Sequence, residues 1–197
     1  MKYSIGMPSW ISIEGRLADG LPMRLYVAES EGQICAACLH DDVHPRSADE
    51  FEWRCRTGST PVKSPAGGRE PDLLQAAEQQ VLEYFSGRRL QFDLPLQFQG
   101  TEFQIRVWRE LAKVPFGATP NYQKIAEQIG APKASRAVGS ANGKNRLPLF
   151  VPCHRIIAAG GKLGGFTGGL GLKKRLLAHE AAILGKNGEQ SRFRWAS

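Results

Sequence analysis

Cysteine is scarce, with four residues in 197. That is too few for a disulfide scaffold, so the expected setting is reducing: the cytoplasm, or the nucleus in a eukaryote. Long apolar runs are missing as well. No stretch reaches the roughly 18 apolar residues of a membrane span, and the opening Met-Lys-Tyr-Ser-Ile-Gly-Met-Pro has no signal-peptide apolar region. The expectation is therefore a soluble monomer with no membrane partner. Carboxylates are few in one part of the chain only. Residues 101–185 hold 4 Asp/Glu against 13 Lys/Arg, a net +9, whereas residues 1–100 hold 14 against 10, a net −4. A basic second half points to a polyanionic partner, nucleic acid first.

Residues 1–58 read as β-rich. Met23 to Val27 and Gln33 to Leu39 flank Glu29-Ser30-Glu31-Gly32, a hairpin turn, and Phe51 to Arg56 offers a further strand. Thr57 to Arg69 is rich in Gly, Ser, Pro and Thr and reads as a loop. A helix is expected from about Pro71 to Phe85, with Leu74, Ala77, Val81 and Phe85 at helical spacing. Leu90, Phe92, Leu94, Leu96 and Phe98 then alternate with other residues, and Pro95 confines that segment to an edge or an extended linker. Gln99-Gly100 marks a boundary. The organisation is a domain of residues 1–98, a second of 99–184, and a polar tail of 185–197 in which Phe193 and Trp195 could dock. The fold class is α+β: a small N-terminal antiparallel sheet with a helix, then a mainly helical C-terminal domain.

Cys35-x-x-Cys38, with His40, His44 and Cys55 nearby, has the residue types of a zinc site. Packing is the competing reading. Their odd separation puts Cys35 and Cys38 on opposite faces of a strand, and no helix start follows the pair as a redox motif requires.

The second half opens with Thr101-Glu-Phe-Gln104, a capping box. Its helix carries Phe103, Val107 and Leu111 on one stripe, with Trp108 beside it. After the loop 114–120, Asn121 caps a short helix that turns Ile125, Ala126 and Ile129 inward. Gly130 ends it, and the next helix runs from about Lys133 to Ala141, making a helix-turn-helix. Ala134, Ser135, Ala137, Gly139 and Ser140 give that second helix a smooth surface with Arg136 as its one long central side chain. Such a face suits close approach to a DNA groove, with Arg136 inserted into the stack in place of an extruded base; an alanine-rich packing helix is the alternative. Asn142-Gly-Lys-Asn145 is expected to turn the chain into Leu147-Pro-Leu-Phe-Val-Pro-Cys-His-Arg-Ile-Ile157. Pro152 stops that apolar run and presents Cys153 beside His154 and Arg155. Positive neighbours favour a thiolate nucleophile; a merely buried cysteine is the alternative. The glycine-rich 158–171 lacks the Gly-Lys-Ser/Thr ending of a phosphate loop. Leu172 to Leu184 is a helix with Leu172, Leu176 and Ile183 inward and His179 and Glu180 within it.

Over residues 99–184 these motifs resemble the O6-alkylguanine-DNA alkyltransferases. The resemblance rests on Pro-Cys-His-Arg at 152–155, Asn121-Tyr-Gln-Lys-Ile-Ala126, Lys133-Ala-Ser-Arg-Ala-Val-Gly139, Asn142-Gly-Lys-Asn145, Gly168-Gly169 and Leu177-Ala-His-Glu180, in that family's order. It implies a ribonuclease H-like first domain and a winged helix-turn-helix second. It also implies direct, irreversible transfer of an alkyl group from O6-alkylguanine, and from O4-alkylthymine, in double-stranded DNA to Cys153. That is a single-turnover reaction without cofactor or metal. His154 would take the thiol proton through a water, Glu180 would orient His154, Tyr122 would protonate the departing guanine, and Asn145 would hold the active-site turn. Arg136 would fill the flipped base's place, with Lys133, Ala134, Ser135, Ala137, Gly139 and Lys144 on the DNA. Tyr122, Pro148, Ile156, Phe166, Thr167 and Gly168 would line the substrate pocket. Two positions depart from the pattern: Phe166 replaces a tyrosine, and Arg146 a proline. A lesion sensor that keeps the cysteine without efficient transfer, and a cysteine hydrolase, are the rival chemistries; the hydrolase lacks an oxyanion motif.

Overall fold

The computed structural model describes residues 9–40, 62–63 and 72–186. The expected strand at 51–56, His44, Cys55, and the tail residues 187–197 with Phe193 and Trp195 lie outside the described residues, as does the expected loop at 57–69 except at Val62 and Lys63, which form a short strand instead of loop. The architecture is mixed α/β, a small sheet followed by helices.

Strands β1 (Ser9–Arg16), β2 (Pro22–Ser30) and β3 (Gln33–His40) form an antiparallel meander, and the two-residue β4 (Val62–Lys63) runs parallel to β1. The sheet order is β3-β2-β1-β4. β1 has a legible source in Ile11 and Ile13, which alternate with exposed Ser12 and Glu14 and turn into the main core. The β2–β3 hairpin closes at Glu31 and Gly32, both with positive φ (53° and 73°). Left-handed residues at both central positions match the right-handed twist of paired strands, and glycine adopts that conformation without steric cost.

One expectation about this sheet is corrected. Ala28 faces Ala36 while Glu29 faces Ile34, so Cys35 is an extra residue in β3. This bulge breaks the alternation. Cys35 and Cys38 therefore share one buried cluster with Trp10, Tyr26 and Ala36, instead of pointing to opposite faces, while Ile34, Ala37 and Leu39 turn to the main core. No group of three or more His, Cys, Asp or Glu able to hold a metal occurs among the described residues.

Helix α1 (Asp72–Phe85) lays Leu74, Ala77, Val81, Tyr84 and Phe85 on the sheet. The alternating segment after it runs extended along the edge of β3: Ile34 N–H donates to Pro95 O (2.8 Å) and Gln97 N–H to Ile34 O (2.9 Å). Pro95, lacking an N–H, is tolerated there because only its carbonyl is used. Helix α2 (Glu102–Leu111) begins with the capping box, both of whose reciprocal bonds form, and its Trp108 Nε1–H donates to Ala141 O (2.9 Å). Asn121 Oδ1 accepts from Lys124 N–H (2.8 Å) to start α3 (Tyr122–Gln128). Helix α4 (Ser135–Gly143) runs two residues beyond Ala141, so Asn142 and Gly143 are helical rather than part of a turn. Helix α5 (Gly169–Lys186) starts earlier than Leu172.

A single apolar cluster runs from Ile11 and Leu25 in the sheet through Tyr84, Leu111 and Ile125 to Ile156 and Leu176. Polar clamps cross the same junction. Arg175 pairs with Asp19 (2.8 Å). His179 Nδ1 accepts from Ala18 N–H (2.9 Å), and its Nε2–H donates to Tyr84 O (3.1 Å). No described helix is long and apolar enough to cross a membrane.

Candidate active site

The segment from Asn145 to Arg155 is a chain of tight turns. Asn145 is its internal bracket: its amide N–H donates to Val151 O (2.8 Å) and to Cys153 Sγ (3.0 Å), and its Oδ1 accepts from Leu147 N–H (2.9 Å). Leu149, buried inside the turn, has φ 77°. A non-glycine residue in that region costs on the order of 1–3 kcal/mol, so the surrounding bonds must enforce it. Pro152 ends the run, and Cys153–Arg155 coil into a 3-10 turn. Asn142, from α4, donates to Cys153 O (3.4 Å).

Cys153 is 2% exposed. Burial pushes its thiol up to about 11, against the smaller opposing pull of the Asn145 hydrogen bond and the Lys173 charge. The expectation that positive neighbours lower this thiol does not hold in the free protein. Arg155, the nearest guanidinium in sequence, is turned away to Glu180. Its Nε donates to both carboxylate oxygens (3.0 and 3.1 Å), its Nη1 donates to Val114 O (2.7 Å), and its guanidinium lies over Phe116 (5.5 Å).

Glu180 is fully buried and heavily bonded. Besides Arg155 it accepts from His154 Nε2 (2.8 Å), Tyr84 Oη–H (3.0 Å) and Gly117 N–H (2.7 Å). Burial alone would raise its carboxyl, but the bonds and charges of His154 and Arg155 outweigh it and hold it at about 2. An ionised carboxylate only accepts, so His154 Nε2 carries the proton. Burial holds the His154 pKa below its usual value, and the lone pair sits on Nδ1, which is buried and has no hydrogen-bond partner among the described residues. The arrangement offers a neutral base one residue from the thiol, oriented by a fixed anion.

Beside this centre lies an open cavity of about 900 Å³. Tyr122, Phe166 and Thr167, three of the residues expected in a pocket, line it, together with Arg136, Ser135 and Gly139 of α4. Tyr122 Oη–H reaches Gly165 O (3.5 Å), and Thr167 Oγ1–H reaches Gly143 O (2.8 Å). Gly164 has φ 62°, and a Cβ there would sit 2.7 Å from Tyr122 Oη, so a side chain at this position would displace the tyrosine. The other three expected pocket residues are not on its wall. Ile156 is fully buried and accepts from Lys173 Nζ through its carbonyl, Gly168 packs against Leu172 and Phe166, and Pro148 bridges to Val151 within the turn. On α4, Arg136 and Ala137 are exposed, as are Lys133 before it and Lys144 after it; Ala134 is half-buried. Arg146 is tied back to the sheet: Ala37 N–H donates to its carbonyl (2.8 Å), and its Nη1 to Gln99 Oε1 (3.4 Å).

Three neighbours of the centre escaped the sequence reading: Lys173, Tyr84 and the Gly117 amide. Lys173 is fully buried, and burial lowers its pKa to about 8. Its signal was present, because it lies seven residues before Glu180 and hence on the same helix face. Tyr84 and Gly117 reach the site only through tertiary packing.

A family model described as "6-O-methylguanine DNA methyltransferase, DNA binding domain" matches residues 102–182. The methylated-DNA–protein-cysteine methyltransferase of Mycolicibacterium paratuberculosis is 47% identical over 135 residues, 68% of this chain and 77% of that protein. The chain belongs to the methylated-DNA–protein-cysteine methyltransferase family. The constitutive methyltransferase of Bacillus subtilis is 41% identical over 144 residues, covering 73% of this chain and 80% of that relative. Among solved structures, Mycobacterium tuberculosis OGT in complex with DNA superposes with a TM-score of 0.68 at 36% identity, over 89% of this chain and 94% of that one. The methyltransferase fold therefore extends over both the sheet and the helices described above.

Proposed function

We propose that this protein repairs DNA by moving the alkyl group of O6-alkylguanine onto Cys153 Sγ, once per molecule. The observation that carries this reading is the buried His154–Glu180 pair beside Cys153, set next to a cavity lined by Tyr122 and Arg136. The same reading makes α3 and α4 a winged helix-turn-helix within residues 99–184, and the preceding sheet and α1 a ribonuclease H-like unit.

Exposed Lys133 and Lys144 meet phosphate, which positions without specifying sequence. The smooth face of Ala134, Ser135, Ala137 and Gly139 lets the backbone of α4 approach the groove, and Arg136 takes the place of the extruded nucleotide. The guanine enters the cavity between Tyr122 and the 164–168 wall. His154 Nδ1 takes the Cys153 proton through a water, and Glu180 stabilises the imidazolium that forms. The thiolate attacks the alkyl carbon, the carbon–oxygen bond breaks, and its electron pair leaves with guanine, which Tyr122 protonates. Overall the thiol proton is exchanged for the alkyl group, so the step balances without cofactor or co-substrate. Asn145, donating to Sγ, then stabilises the charge that develops there.

The test is a titration of a duplex carrying O6-methylguanine with increasing protein, scored by the lesion left in the DNA. Loss of the lesion in a single-exponential phase, ending at a single lesion per protein, is expected. Continued loss beyond that ratio, or tight binding with no loss, would overturn the reading.

A further inference from the structure

Glu180 has a partner that the relay does not account for. Tyr84, the penultimate residue of α1, is fully buried, and its Oη–H donates to Glu180 Oε1 at 3.0 Å. That is the same oxygen that accepts from His154 Nε2 at 2.8 Å. Tyr84 lies outside the matched 102–182 segment, in the sheet-and-helix part to which no step has been assigned. It is also held in place with care. Its ring packs edge-on against Phe116 (5.8 Å between centroids) and against Phe92 and His179, and its carbonyl accepts from His179 Nε2–H. A phenol fixed on both sides of its ring and at its backbone cannot swing away from the carboxylate.

We infer that Tyr84 is a positioning residue of the alkyl-transfer centre, which fixes Glu180 Oε1 and draws off part of its charge, and so sets the pH range over which His154 is a neutral base. The inference rests on the alkyl-transfer reading above. Its chemistry is direct. Oε1 is shared among Tyr84, His154 and Arg155 Nε, and a carboxylate oxygen shared among several donors is a weaker acceptor toward each. Without the phenol, Glu180 Oε1 turns its charge more fully on His154 Nε2–H, which favours the imidazolium, and a protonated His154 cannot accept the thiol proton. The other charged and titratable groups facing the pair are Arg155 and Cys153 from the 3-10 turn and Lys173 from α5, with His179 behind the Tyr84 ring. None of them changes its contacts to Glu180 when a hydroxyl is removed from Tyr84. Phenylalanine at this position keeps the ring packing and leaves Glu180 with its Arg155, His154 and Gly117 bonds, so the variant folds.

The experiment measures single-turnover transfer from an O6-methylguanine duplex between roughly pH 5 and 9, with protein in excess, for wild type, Tyr84→Phe and Cys153→Ser; duplex affinity is measured alongside. The acid limb of the wild-type profile belongs to His154. In Tyr84→Phe that limb moves to higher pH by roughly half a unit, equivalent to about 0.7 kcal/mol in the His154 protonation equilibrium. Duplex affinity stays at the wild-type level. The nitrogen-15 shift of His154 Nδ1, followed against pH without DNA, moves in the same direction. A slower rate with an unmoved acid limb would make Tyr84 merely a packing residue and overturn the inference, as would a limb displaced to lower pH. If the wild type itself transfers nothing, the alkyl-transfer reading falls, and this inference with it.

Discussion

Cys35 and Cys153 are two buried thiols with the same ionisation and different surroundings. Both are pushed up to about 11, and in both the first cause is burial. Cys35 sits in the bulge of β3 among Trp10, Tyr26, Ala36 and Cys38, and its Sγ–H donates weakly to Ala28 O (3.5 Å). Cys153 Sγ accepts from the Asn145 amide, with the neutral base His154 next in the chain and the Lys173 charge nearby. A resting pKa therefore does not separate an inert thiol from a nucleophile. The difference lies in what surrounds the sulfur: a donor aimed at the charge that will form, and a neutral base next in the chain. The Cys35 thiol meets only a carbonyl and its buried cluster. Cys153 has both within a turn that holds Leu149 at φ 77°.

Breaking the Cys153 side should have the largest effect at Glu180. Glu180→Gln leaves Arg155 buried without its counter-charge, and truncating one partner of a buried pair costs about 3–5 kcal/mol. Urea denaturation should show that loss, with transfer falling below detection. The wild-type protein carries the same dependence on pH. Glu180 is held at about 2 against an ordinary 4.5, so its contribution is whole above about 4.5 and is lost as the pH falls toward 2; Glu180→Gln should lack that acid transition. Next comes Asn145→Ala. It strands Leu147 N–H inside the turn, at about 1–3 kcal/mol for an orphaned buried group, takes one of two donors from Val151 O, which keeps the Cys153 N–H, and removes the donor to Sγ. Melting temperature and single-turnover rate should fall together, in contrast to Tyr84→Phe, where the pH profile moves.

Arg136→Ala sharpens the comparison from outside the thiol's surroundings. It leaves every bond around Cys153 in place and removes only the exposed side chain proposed to take the flipped base's place. Transfer from duplex should slow by roughly tenfold or more, whereas transfer from a single-stranded oligonucleotide, which needs no unstacking, should be unchanged. The smallest effect belongs to Cys35→Ala. Removing a sulfur from an apolar cluster costs on the order of 1 kcal/mol in stability, and the transferred alkyl per protein should stay the same. A loss of transfer in that variant would show that the two thiols are not as different as their surroundings make them.

Much of this was legible in the chain. The capping box at Thr101, the Asn121 cap, the α1 stripe and the positive-φ hairpin are local devices whose signals lie within a few residues. The motifs around Asn145, Cys153 and Glu180 come together in the fold, Asn145 on Cys153 Sγ and Glu180 on His154, with Tyr122 on the neighbouring cavity. The misreadings were tertiary. Alternation predicts opposite faces for Cys35 and Cys38, and only the register of β2 against β3 reveals the bulge that unites them. Arg155 beside Cys153 in sequence suggested a lowered thiol pKa, but the 3-10 turn sends the guanidinium to Glu180. Pro148, Ile156 and Gly168, expected in the pocket by resemblance, do not line the cavity beside Tyr122. Tyr84 could not have been found from the motifs, because its hydrogen bond to Glu180 forms only where α1 meets α5.

The most direct test of the account is the mass of the peptide containing Cys153 after the protein has met a duplex with O6-methylguanine. A gain of one methyl on Cys153, stoichiometric with the lesion lost, absent in Cys153→Ser and undiminished in Cys35→Ala, is the predicted result. An unmodified Cys153 peptide from a sample whose lesions are gone, or a methyl carried by Cys35 or Cys38, would contradict it.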